Sequence, residues 1–252
     1  MKMSLLEMVQ DILSDMSGDY INSIGDTEES LQVAQIVKST YHEMMTRREW
    51  PHLDKITTLQ SYGDSEHPMF LLLPKNTRRV KWITYNQRTA DNPKESYDFV
   101  KYLEPPEFVQ FTNSRNADNE NVTMFLTNTN VPLRIITDQP PQYWTSFDDE
   151  VVVMDAFVAS LEDTLQGQNA QCEVATYADW YDSNDFIPPM PAHLFPALLS
   201  EAKSTAFLLI KEVANEKAEQ QSRRQQKHLS SQGWRTAGGV SYPDYGRKRW
   251  RR

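Results

Sequence analysis

The chain has one cysteine among 252 residues, Cys172, and only eight glycines. A single cysteine excludes an intrachain disulfide framework and fits a reducing interior. Eight glycines leave little room for phosphate-cradling loops, and neither G-x-x-x-x-G-K-[ST] nor G-x-G-x-x-G occurs. No stretch approaches the roughly 20 consecutive apolar residues of a membrane span. The opening MKMSLLEMVQDIL is partly apolar, but Glu7, Gln10 and Asp11 interrupt it. It reads as an amphipathic helix rather than a signal peptide. These absences predict a soluble protein that does not engage a membrane.

Catalytic groups are equally sparse. The five histidines, His42, His52, His67, His193 and His228, are scattered, and none lies in an H-E-x-x-H or paired-cysteine context. Two acidic groups stand out: the run Asp148, Asp149, Glu150, and the spaced set Asp179, Asp182, Asp185. Cation sites need a loop that converges such oxygens, and the EF-hand glycine is missing, so solvated acidic turns are the favoured reading. Cys172 has no basic neighbours in sequence, which favours an inert thiol over a nucleophile. The expectation is a protein that is not an enzyme and carries no cofactor and no metal.

What is present is a division of charge. The net charge is -9, yet nine of the 26 Lys and Arg, and only one of the 35 acids, lie from Arg223 onward. That segment carries +8 and residues 1–222 carry −17. A basic end beside an acidic body suggests a tail that binds something anionic, either nucleic acid or an acidic protein surface.

Periodicity separates the chain into parts. Leu5, Met8, Val9, Ile12, Leu13 and Met16 recur at helical spacing, with Gly18 as the stop. A second helix follows, capped by Asp26 with Glu29 three residues on, its stripe Leu31, Ala34, Val37, Tyr41 and Met44 ending before Pro51. From Asp54 the signals turn to strands: ITTLQSY, MFLLLP, RVKWITYN, VTMFLT, PLRIITD and EVVVMDAF, with a short helix in EPPEFVQFTNS. Helical spacing returns with Leu198, Ala202, Ala206, Leu209 and Val213, then gives way to a stretch that is polar all round. The division expected is a helical hairpin over 1–53, a β-rich insertion over 54–187, a long helix over 188–229 packing on the hairpin, and an extended tail over 230–252. The fold class is α+β, a helical core with an inserted β-rich domain.

The tail cannot form a core alone, but it interleaves Trp234, Tyr242, Tyr245 and Trp250 with arginines. Aromatic and Arg residues anchor protein interfaces, and they also stack on single-stranded bases.

This order of parts resembles the head-to-tail adaptor proteins of short-tailed bacteriophages, the tail tubular protein A family. The matching residues are LLEMVQDILSDMSGDYINSIGDTEESLQVAQIV for the hairpin, RREWPHL for an R-x-W at its end, LPKNTRRVKWITYN for the first insertion strands, and IPPMPAHLFPALLSEAKSTAF for the entry to the last helix. The resemblance implies a structural virion protein of the tail, assembled in the host cytoplasm. Copies would form a ring, expected to be a dodecamer, between the portal and the tail nozzle, with genomic DNA passing through the channel without specific binding. Portal docking would fall to Trp234, Tyr242, Tyr245, Arg247, Lys248, Arg249, Trp250, Arg251 and Arg252. The alternative is a nucleic-acid-binding assembly or packaging factor that grips DNA with the same tail.

Overall fold

The computed structural model describes residues 2–64, 66–87, 94–127, 130–159, 170–213 and 215–232. The chain divides into two compact units, one of Met1–Pro51 with Asp179–Arg252 and the other of His52–Ala178. Five α-helices form among the described residues: α1 (Leu5–Asp15), α2 (Glu28–Thr46), α3 (Pro105–Asn113), α4 (Phe195–Ile210) and α5 (Glu216–Gln232). Of these, α3 belongs to the second unit.

In the first unit, α1 opens with a capping box in which Ser4 and Glu7 each satisfy the other's backbone N–H. The next free donors, the Leu5 and Leu6 N–H groups, bond to the carbonyls of Phe186 and Asn184 at 2.8 and 3.2 Å. The acidic segment after Asp179 therefore serves as part of the helix start. Leu5, Met8, Val9, Ile12 and Leu13 are buried along one face. The helix stops with Ser17, not Gly18, in the left-handed region at φ 58°. Gly18 follows with its N–H on the Leu13 carbonyl at 2.8 Å.

The cap of α2 is Thr27 paired with Ser30. Asp26, the cap expected from sequence, instead accepts the N–H groups of Asn22 and Ser23 at 2.7 and 2.8 Å. The buried face runs through Val33, Ala34, Ile36, Val37, Thr40, Tyr41 and Met45, which leaves Leu31 on the surface. At the other end the Trp50 indole N–H donates to the Met44 carbonyl at 2.9 Å, occupying one of the acceptors a helix leaves open. Arg48 lies over the Trp50 ring at 5.0 Å, so the R-x-W residues fold back on one another to finish α2. Helix α4 packs on α1 and α2 through Ala197, Leu198, Ala202 and Ala206, and α5 packs on α4.

The second unit holds ten strands: β1 (Asp54–Thr58), β2 (Gln60–Ser61), β3 (Phe70–Leu72), β4 (Thr77–Asn86), β5 (Tyr97–Tyr102), β6 (Val122–Leu126), β7 (Pro132–Ile136), β8 (Tyr143–Thr145), β9 (Val151–Met154) and β10 (Ala170–Thr176). Eight of them form one sheet in the order β1-β10-β4-β5-β8-β9-β3-β2, and β6 and β7 form a separate hairpin. Pairing is antiparallel except between β5 and β8. The two terminal strands of the sheet, β1 and β2, are separated in the chain by Leu59 alone, so the sheet rolls toward closure like a barrel. Across it Cys172 pairs with Ile83 and Ile83 with Val100, a buried row facing the interior. Phe70, Leu71, Tyr85, Phe108, Trp144, Val152 and Val153 complete that core.

A buried ion pair ties the hairpin to this core. Arg115, just past α3, donates to the Asp155 carboxylate at 2.6 Å and to the carbonyls of Arg134 and Asp155 at 3.0 and 2.5 Å. Asp155 also accepts the N–H groups of Gln142 and Tyr143 at 2.9 and 2.8 Å.

The expected architecture is corrected accordingly. The protein is β-rich, dominated by a nearly closed eight-stranded mixed sheet with its own apolar interior, rather than a helical core carrying an inserted domain. The physical reason lies in strands that sequence patterning passes over. β5 and β8 supply the second sides of β4 and β9, and β10 joins β1 to β4, turning separate hairpins into one rolled sheet. The single long helix expected over 188–229 is also corrected: it is broken between Ile210 and Glu216.

Candidate interaction surface

No group of three or more His, Cys, Asp or Glu residues able to hold a metal ion occurs among the described residues. Two of the acidic residues singled out in the sequence, Asp148 and Asp182, are engaged locally. Asp148 accepts the N–H groups of Glu150 and Val151 at 3.0 and 2.9 Å, organising the turn before β9. Asp182 bonds Lys38 at 2.9 Å and the Trp180 indole at 2.7 Å, and these two donors hold its carboxyl below the usual range. Histidines divide similarly: His67 lies between the Asp64 carboxylate at 2.7 Å and the Leu126 carbonyl at 2.9 Å, and His42 packs near Tyr41 and Trp180. Burial, reinforced by the charge of Asp179, pushes the Tyr41 hydroxyl up to about 12.

Cys172 is fully buried, and that burial pushes its thiol up to about 11. In native protein at pH 8 it should react with an aromatic disulfide reagent at least ~100-fold more slowly than after unfolding in guanidinium, since access requires opening of the sheet. Rapid labelling under native conditions would contradict the rolled-sheet interior.

The residues proposed for docking, Trp234, Tyr242, Tyr245, Arg247, Lys248, Arg249, Trp250, Arg251 and Arg252, lie outside the described residues. The structure instead draws attention to side chains that periodicity had assigned to the helical interior. Leu209 and Val213 are 64% and 61% exposed, and Leu208 is 57% exposed. The Lys211–Glu29 pair, 3.2 Å, brings this end of α4 to the first turn of α2, where Leu31 is 46% exposed. Four aliphatic side chains of the first unit thus stand in water. The sequence signal is a mismatch: Leu209 and Val213 continue the apolar spacing of α4 but are exposed, whereas Leu198, Ala202 and Ala206 are buried.

The second unit also exposes apolar side chains on its sheet, on either side of the buried Glu173. On the outer side of the sheet Ile56 pairs through Glu173 to Trp82, and Trp82 meets Phe99 edge-on at 6.0 Å. Ile56 and Phe99 are 69% and 71% exposed. Among the described residues, neither surface brings an acid, a base and a nucleophile together. The chain matches no protein-family model and no curated protein.

Proposed function

We propose that this protein is a structural virion component, a head-to-tail adaptor whose copies form a ring between the portal and the tail nozzle and line the DNA channel. The observation that carries the reading is the exposure of Leu208 and Leu209 at the end of α4 and of Val213 just beyond it, apolar side chains suited to contact with a further protein. Charge supports it too. A body carrying −17 repels DNA phosphates and lets a genome slide, while the +8 end suits an acidic protein surface. The resemblance of the hairpin, of RREWPHL and of the entry to α4 to adaptor sequences supplies the identity of the ring's neighbours.

The test is the mass and symmetry of the purified chain, alone and with a portal, by light scattering and electron microscopy. Deleting residues 241–252 is expected to leave far-ultraviolet circular dichroism and the melting temperature unchanged while abolishing stable portal attachment. A truncated chain that attaches as well as the full one removes the docking role. If it attaches normally but loses a steeply salt-dependent affinity for free DNA, the nucleic-acid-binding function replaces the adaptor one.

A further inference from the structure

Among the described residues, β1 is hydrogen-bonded on one side only. The stretch from Asp54 to Ser61 runs through β1, Leu59 and β2 and supplies both ends of the eight-stranded sheet. Its first five residues pair with β10 and its last two with β3. Leu59 donates its N–H to the Ala170 carbonyl at 2.9 Å, so Lys55 and Thr57 also turn their backbone groups toward β10. Alternation then directs the N–H and C=O groups of Ile56 and Thr58 to the opposite side. Continuing the pairing of Gln60 with Leu72 would bring Thr58 opposite Pro74 and Ile56 opposite Asn76.

Those two residues are committed elsewhere. Pro74 has no N–H, and its carbonyl accepts the Thr77 hydroxyl at 2.6 Å. Asn76 takes φ 62°, and its carbonyl accepts the Tyr177 N–H at 2.8 Å. The Thr58 carbonyl is met by the Thr57 hydroxyl at 3.5 Å, beyond the length of a firm hydroxyl hydrogen bond. A cleft of about 700 Å³ opens along this edge, lined by Thr57, Thr58 and Gln60 from the strand and by Pro74 and Asn76 from the segment that turns away. Asp149 and Glu150 line it as well, against one base, Lys75. Their backbone is fixed, because Ser146 accepts the Asp149 N–H at 3.1 Å and Asp148 the Glu150 N–H at 3.0 Å.

The geometry points to a strand-addition site: an extended, basic peptide segment of a partner protein enters this cleft and pairs with the open edge of β1. A row of alternating donors and acceptors is matched by another extended backbone, which is why uncovered edges recruit strands. The five residues of β1 give room for a strand of about five residues, roughly 17 Å long. Basic side chains are favoured because Asp149 and Glu150 outnumber Lys75 at the cleft. The entering strand supplies the pairing that Pro74 denies β1. The inference is independent of the adaptor reading, since it requires neither a ring nor a portal.

The test uses the full-length protein and a fluorescently labelled synthetic peptide, Lys-Val-Lys-Val-Lys-Val-Lys with blocked ends. Fluorescence anisotropy should show saturable binding, with the analogue that has glutamate in place of lysine at least about tenfold weaker. Bound peptide should slow the amide exchange of Ile56 and Thr58 about tenfold, read by NMR, while Lys55 and Thr57, already turned to β10, change little. Thr58→Pro removes an N–H from the open edge without touching the β10 ladder, and should weaken binding about tenfold at an unchanged melting temperature. Asp149→Asn combined with Glu150→Gln should remove the preference for lysine. If no peptide binds, or if binding leaves the exchange of Ile56 and Thr58 unchanged, strand addition is overturned. Equal binding of the two peptides overturns the basic partner. Protection of Ile56 and Thr58 that rises with protein concentration in the absence of peptide puts a second copy in the cleft and overturns a separate partner.

Discussion

Replacing Asp155 by alanine should destabilise the β-rich unit by about 3–5 kcal/mol, because it strands a buried guanidinium. Arg115 and Asp155 have side chains only 12% and 4% exposed, and their ion pair measures 2.6 Å. Asp155 also satisfies two backbone donors at the start of β8, so its loss leaves the N–H groups of Gln142 and Tyr143 without this acceptor. The consequence should spread from the β6–β7 hairpin, whose Arg134 carbonyl accepts from the same arginine, to the β8–β9 edge of the rolled sheet. Urea denaturation followed by tryptophan fluorescence is the measurement, with a midpoint lowered by more than roughly 1 M. Asp155→Asn, which keeps one acceptor and the shape, should lose less. If Asp155→Ala costs under about 1 kcal/mol, the pair does not organise the unit.

The second large effect is expected from Leu198→Asp in the helical unit. Leu198 is fully buried on α4, on the face packed against α1 and α2. Losing the leucine costs about 2–5 kcal/mol through cavity formation, and an unpaired carboxylate in its place adds several more. That sum approaches the whole stability of an ordinary domain, so the variant should lose most of the helical circular dichroism signal of this unit. Leu208→Asp, on the same helix but at a side chain 57% exposed, supplies the contrast. In the monomer it should change stability by no more than about 0.5 kcal/mol, while weakening self-association. Equal effects at the two positions would mean that Leu208 is not an interface residue.

The sequence by itself determined the local elements whose signals are strong and short in range. The α1 stripe from Leu5 to Leu13 is legible because five apolar residues at helical spacing leave one way to bury them. β9 is legible in EVVVMDAF, and α3 in EPPEFVQFTNS, where prolines occupy the first turn and Phe108 points inward. Charge segregation was equally plain, since it needs no fold to be counted. By contrast, β10 reads AQCEVAT, with little that marks a strand, and becomes one because β1 and β4 flank it on both sides. Long-range pairing overrides weak propensity there. The same holds for the candidate surface. Leu209 and Val213 fit the α4 stripe by spacing, but whether a stripe is buried depends on where neighbouring helices end, and the turn at Glu212 carries the chain away before they are covered. Tertiary structure alone decided that the strands roll into one sheet and that the helix bends, because both depend on partners distant in the chain, which local spacing does not encode.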